Sequence, residues 1–207
     1  AAFAARMAEL RQSRQFTIPM ALGARPSPLD SLSMERWLER EGFTSPYLRW
    51  YVDYSCRDDF GSGSRDTSAW AGIHYFASRE HEEQGPLTWP EGNGWILERL
   101  AAKLRPHLRN GAAVHRIEKW GSGFAVQAGD CEYRAAAVIF AAPEFVLPYV
   151  MEGMPPSRVR YSPWIVANLT LDRWPREKGL EPAWDNVIYG SRSLGYVVAT
   201  HQSLRSQ

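Results

Sequence analysis

The chain has 207 residues, 44% of them hydrophobic and 13% aromatic, enough apolar surface for one large domain or two smaller lobes, and its 23% of charged residues is that of an ordinary globular protein. A formal net charge of +1 excludes the strong positive field of a nucleic-acid binder, although the basic residues are mostly arginine, with lysine only at Lys103, Lys119 and Lys178. No apolar run approaches the roughly 20 residues that span a bilayer, and Cys56 and Cys131 have neither Cys-x-x-Cys spacing nor a disulfide framework, so a reduced, cytoplasmic protein without signal peptide or transmembrane segment is expected.

Residues 1–14 are good helix formers with Phe3, Met7 and Leu10 at helical spacing, and Pro19, Pro26 and Pro28 break the next stretch into extended chain. A short helix starts near Ser31 or Ser33. Ser33 serves as its N-cap, with Arg36 where a capping box would place Glu, and Gly42 stops it. Pro46 opens another helix, on which Tyr47, Trp50, Tyr51 and Tyr54 fall at i, i+3, i+4 and i+7. Such an aromatic stripe ordinarily buries a helix face. It also suits the lining of a cavity for a flat or apolar substrate, since tyrosine offers both a ring and a hydroxyl. Cys56, Arg57, Asp58 and Asp59 follow, before a Gly61-Ser62-Gly63-Ser64 turn. Side chains of adjacent aspartates diverge, so Asp58 and Asp59 read as a solvated helix end or arginine partners rather than an acid/base pair.

Residues 67–76 form a further helix by pattern, with Trp70, Ile73 and His74 on one broad face. His74 has no recognised metal spacing to His81 or Cys56. Nucleophilic hydrolysis is set aside as well: there is no Gly-x-Ser-x-Gly elbow, and His201 has no identifiable serine or cysteine partner. The charged run Glu80-His81-Glu82-Glu83 before Gly85-Pro86 reads as an exposed loop. Asn110-Gly111 then marks a change from mainly helical to mainly strand pattern, which gives an α+β fold class. Val114, Ile117 and the alternation around Phe124 and Val126 predict half-buried strands joined by hairpin turns at Gly121-Ser122-Gly123 and Ala128-Gly129-Asp130. A buried strand is expected over residues 137–141, closing on Ala141-Ala142-Pro143, whose side chains are too small to block a ligand lying across the strand end. A plain antiparallel meander gives the same pattern. Trp184, Asn186, Tyr189 and Tyr196 decorate later strands.

Residues 112–143, the glycine turn and amphipathic helix at 89–100, and the strand at 165–175 with its Trp174-Pro175 corner resemble the flavin-containing amine oxidoreductases. That family includes monoamine oxidases, polyamine oxidases, protoporphyrinogen oxidases and phytoene desaturases. The resemblance covers most of the chain from about Leu29 onward. It implies a helical substrate-domain segment over residues 1–108, a β-meander of an FAD-binding domain over 109–150, and antiparallel substrate-domain strands over 151–207. It further implies an FAD-dependent oxidoreductase acting on an amine or an apolar, cyclic small molecule. Flavin accepts the hydride, so few protein acid/base groups are needed and no catalytic residue is assigned.

Carried over by position, Val114 matches the residue whose backbone holds the adenine end of FAD, and Ala141, Ala142 and Pro143 match the small segment beside the dinucleotide. Trp95 matches a position facing the substrate cavity; a buried tryptophan at a helix start is the plainer alternative. Asn168 or Ala167 stands where many amine-oxidising relatives have a lysine that holds a water, which points to another water-holding group, or to desaturation or ring oxidation. Tyr189 belongs to strands that form the cavity floor. The chain has no Gly-x-Gly-x-x-Gly fingerprint, since Gly92-Asn93-Gly94 lacks the third glycine and follows Trp-Pro. The resemblance thus implies a middle section of a longer enzyme, with weak or no FAD binding by this piece alone. A noncatalytic small-ligand-binding or scaffold module is the competing class. Oligomeric state is not specified by the pattern.

Overall fold

Serine side chains set where the first helices begin. In the computed structural model, which describes residues 1–13, 15–18, 27–79, 91–173, 178–179, 183 and 185–198, α1 (Ala2–Gln12) and a 3-10 turn (Pro28–Ser31) precede α2 (Met34–Arg40), α3 (Pro46–Phe60) and α4 (Ala69–Ala77). Ser33 Oγ accepts from the Arg36 N–H at 3.3 Å, Ser45 Oγ from Leu48 at 3.5 Å and Ser68 Oγ from Ala71 at 3.1 Å. Each satisfies a donor that the first helical turn leaves unpaired. Pro46 occupies the start of α3, where its missing N–H costs nothing. α3 runs on through Asp58 and Asp59, which stand at its end, to Phe60, and Gly61 ends it in the left-handed conformation with φ 67°.

Two compact units result: residues 1–92 with 162–207, and residues 93–161. In the first, the starts of α2 and α4 are tied together, because Met34 N–H donates to Thr67 O at 2.9 Å and Ala69 N–H to Leu32 O at 2.6 Å. Side by side, α2 buries Met34, Trp37 and Leu38 against Ala69, Ile73 and Ala77 of α4, and Met7, Phe16, Val52 and Cys56 complete the core. Phe3 meets Trp37, Phe43 and Phe76 edge-on with centroids 6.4, 5.5 and 5.1 Å away, the geometry aromatic quadrupoles favour.

The aromatic stripe of α3 is not its core face. Tyr54 is buried, but Tyr47 is 69% and Tyr51 48% exposed, while Val52, Ser55 and Cys56 are the other buried residues of the helix. Tyrosine hydroxyls remain hydrated on a surface, whereas Val52 has no polar group to solvate, so the smaller side chains take the interior. Later in the same unit, β4 (Asp185–Asn186) and β5 (Tyr196–Val197) pair antiparallel. The strand expected at residues 165–169 does not form: the stretch is irregular, with Ile165 94% and Leu169 82% exposed. Apolar, β-branched residues favour a strand only when a neighbour bonds its backbone, and among the described residues none pairs here. Pro19, Pro26, the run around His81, Trp174-Pro175, Trp184 and His201 lie outside the described residues.

The second unit opens with α5 (Gly94–Leu104) and a 3-10 turn (Arg105–His107). It continues as β1 (Val114–Trp120), β2 (Gly123–Ala128) and β3 (Cys131–Ala135), then a 3-10 turn (Glu144–Val146) and α6 (Leu147–Val150). The strands form an antiparallel meander in the order β1-β2-β3. Trp120 opposes Gly123 and Ala128 opposes Cys131, so both hairpins close on two-residue turns, with Gly121 at φ 58° and Gly129 at φ 56°. The chain leaves β3 after Ala135, and residues 137–141 are irregular rather than the expected buried strand, with Ile139 93% exposed. The cause is the same unpaired backbone. Among the described residues, no helix is long and apolar enough to cross a membrane.

Candidate functional site

Aromatic rings and carboxylates gather where α3 meets the β4–β5 hairpin in the first unit. Tyr189, in the loop between the two strands, places its ring 5.1 Å from that of Tyr47 and 4.9 Å from that of Trp50, and Trp50 in turn stacks on Tyr54 at 5.8 Å. Helical spacing puts Tyr47, Trp50 and Tyr54 along one side of α3. The hairpin stays narrow at Gly195, where a Cβ would collide with Asn186 O, and the Asn186 amide pins its start by accepting from Ala183 N–H at 2.9 Å and donating to Ala183 O at 2.6 Å.

The end of this cluster at Tyr54 carries the charge. The Tyr54 hydroxyl lies 3.3 Å from Leu194 O and 3.4 Å from Asp185 Oδ2, positioned to donate to either. Burial first, then the negative charges of Asp58 and Asp185, push its proton loss well above the ordinary phenol range, so Tyr54 stays a neutral donor. Burial also raises the Asp58 carboxyl, with Asp185 and Asp59 adding to the effect and Arg79 opposing it. Arg57 does not neutralise the pair. Its Nε donates to Asp53 Oδ2 at 3.1 Å and its Nη1 to Arg192 O at 3.0 Å, while Asp53 Oδ1 accepts from the Ser64 N–H at 2.9 Å and Ser64 Oγ at 3.1 Å. Arg57 and Asp53 therefore fasten the turn after α3 and the loop at Arg192. Two carboxylates beside exposed aromatic faces suit an organic cation, which gains from the charge and from the ring quadrupoles together.

Other reactive groups are occupied structurally. His74 Nε2 lies 3.2 Å from Thr17 O and its ring stacks on Trp70 at 5.2 Å. Among the described residues, no group of three or more His, Cys, Asp or Glu converges as a metal site would require. Cys56 is buried, and burial pushes its thiol up to about 11, so it is protonated and no nucleophile at neutral pH.

Of the positions singled out in the sequence, Tyr189 joins the aromatic cluster, and Asn168 lies exposed on the irregular stretch of the same unit. The remaining positions lie in the second unit. Trp95 is half-buried near the start of α5, with the Arg99 guanidinium 3.3 Å above its ring and Arg99 Nη1 donating to Trp95 O at 3.2 Å. Val114 begins β1 opposite Ala128 and is 43% exposed; the ladder slips between Val114 and Arg116, and the Gly129 N–H donates to Ala113 O at 3.2 Å. Ala141, Ala142 and Pro143 are all exposed. All four positions are exposed, and the side chains at Ala141, Ala142 and Pro143 are small enough to leave room for one edge of a ligand. The described residues supply no cradle for the pyrophosphate. A shallow depression of about 210 Å³ at the β2–β3 turn is lined by Gln127, Gly129, Asp130, Cys131 and Glu132, and includes none of them.

The contribution of Asp185 has no signal in the sequence, because its contact with Tyr54 spans 131 residues. Compared with known proteins, the chain matches no family model and no curated protein.

Proposed function

We propose that this chain is part of an FAD-dependent oxidoreductase of the flavin-containing amine oxidoreductase type, which oxidises an amine or an apolar, cyclic small molecule by hydride transfer. The observation that carries this reading is the three-stranded meander, closed by two-residue glycine turns and leading to the exposed Ala141-Ala142-Pro143 segment. A dinucleotide approaches such backbone without meeting a bulky side chain. FAD, when bound, supplies the hydride acceptor. The chain's own part is to hold and orient: in the second unit Val114 and the Ala141-Ala142-Pro143 segment contact the nucleotide side, and in the first unit Asn168 and Tyr189 contact substrate. The rings of Tyr47, Trp50 and Tyr189 offer faces to a flat molecule, and Asp58 and Asp185 favour one that carries a positive amine. Free Cys56 and Cys131 suit a reducing compartment such as the cytoplasm.

The test is FAD uptake by the full-length polypeptide. Visible flavin absorbance that persists through gel filtration supports the reading, and a colourless product that takes up no added FAD overturns it. In the flavin-loaded protein, Tyr189→Ala raises KM for the substrate while leaving flavin absorbance unchanged. The exposed aromatic and carboxylate cluster also favours a second reading, a noncatalytic module for a small cationic ligand. That reading predicts ligand binding by a protein indifferent to FAD.

A further inference from the structure

We infer that β3 is a contact between two copies of this chain, paired edge to edge as antiparallel strands about a two-fold axis at Tyr133. Among the described residues β3 is a terminal strand of its sheet, and all of its residues are exposed. Sheet edges are usually guarded by short length, charged side chains, proline or a bulge; Cys131-Glu132-Tyr133-Arg134-Ala135 is short and charged but has no proline and no bulge, and its two charges are of opposite sign, so they do not repel a second copy in every register. Because Ala128 and Cys131 close a two-residue hairpin, Cys131, Tyr133 and Ala135 turn their backbone N–H and C=O toward β2. Glu132 and Arg134 turn theirs toward the free edge.

That alternation limits how a second β3 docks. The edge-facing groups meet in register only if Glu132 opposes Glu132, Arg134 opposes Arg134, or Glu132 opposes Arg134. The first two place like charges face to face, which disfavours them. In the third, every carboxylate faces a guanidinium across the axis, and the match is reciprocal, as an isologous contact requires. The two side chains already share one face, since Arg134 Nε contacts Glu132 Oε1 at 3.0 Å within the strand. Tyr133 then faces its own copy in a non-hydrogen-bonded pair, the kind with Cα atoms about 4.5 Å apart. A strand this short buries much less than the roughly 1,200 Å² of a tight interface, so the dimer is weak and trapping detects it better than size does.

The test uses the full chain carrying Tyr133→Cys and Cys131→Ser under mild oxidation, followed on a non-reducing gel. A Cα separation of about 4.5 Å lies within disulfide range, and a covalent dimer is expected. Adding Arg134→Glu slows its formation roughly tenfold, and adding Glu132→Arg as well restores it, because the same register again opposes unlike charges. Ala135→Cys in the otherwise unaltered chain, which this register sets against Cys131 of the second copy, traps the dimer with Tyr133 intact and decides the matter if the first variant does not fold. Trapping no faster than for Ser122→Cys in the opposite turn, or indifferent to the charge exchange, overturns the inference.

Discussion

Asp58 shows how a single side chain records its surroundings. Its carboxyl is held above the ordinary value of 3.8 by burial first, with the Asp185 and Asp59 charges adding. The folded chain therefore keeps a proton that the unfolded chain has already lost as pH rises past the ordinary carboxylate range. More protons on the folded state means that stability falls with rising pH in that window and stays lower above it. Asparagine is nearly isosteric and never ionises. Asp58→Asn is expected to raise Tm by about a degree near pH 7, solvent screening most of the charge effect at this partly exposed position, and to leave it unchanged below about pH 2.5, where the carboxyl is protonated in the folded and the unfolded chain alike. Thermal melts at the two pH values check this, and a lower Tm near pH 7 would mean that attraction to Arg79 outweighs burial and the neighbouring carboxylates. The sequence shows Asp58 and its neighbour Asp59 but gives no hint of Asp185, because only the folded chain brings that residue to α3.

Gly72 sits inside α4, where glycine costs a helix about 1 kcal/mol relative to alanine. Its neighbour explains it. A Cβ at residue 72 would stand 2.8 Å from Met34 Cγ and Sδ, and Met34 is fully buried, so any adjustment has to be made inside the core. Overpacking of this kind costs roughly 1–3 kcal/mol, so Gly72→Ala is expected to destabilise the chain despite the better helix former. In a Met34→Ala background the obstruction is gone, and the same substitution is expected to stabilise by up to about 1 kcal/mol. Urea melts of the four proteins give the coupling, and additive effects would remove the packing explanation. Elements were legible where their cause is local: Ser33 as a cap, Pro46 as a first helical residue and the glycines of both hairpins act within a few residues of themselves. The face that α3 buries was not legible, because periodicity finds the tyrosine stripe but does not say whether Tyr47 and Tyr51 outcompete Val52 and Cys56 for the interior. Residues 137–141 and 165–169 failed as strands for a related reason. Their composition favours extended chain, but a ladder needs a second strand that composition does not supply.

The two units differ in how much apolar surface holds them. The first encloses Phe16, Met34, Trp37, Leu38, Val52 and Ile73 in one cluster, whereas the buried residues of the second, among those described, are Ile117, Ala125 and Ala128. α5 adds no buried residue, and Leu97, Leu100 and Leu104 on it are each at least half exposed. Hydrophobic stabilisation follows the area removed from water, about 25 cal/mol per Å², and alanines bury little of it. The aromatic cluster around Tyr189 thus stands on the firmer scaffold, and the segments assigned to the nucleotide side stand on the softer one. Amide hydrogen exchange should separate them: backbone amides of α2 and α4 are expected to be protected roughly a hundredfold more than those of β2. Equal protection would place the meander in the same cooperative unit as the helices. If the nucleotide side of the proposed enzyme is the meander, FAD added to the full-length polypeptide should slow exchange in β1–β3 while leaving α2 and α4 near their ligand-free rates, because a ligand stabilises most visibly the part whose opening exposes its site.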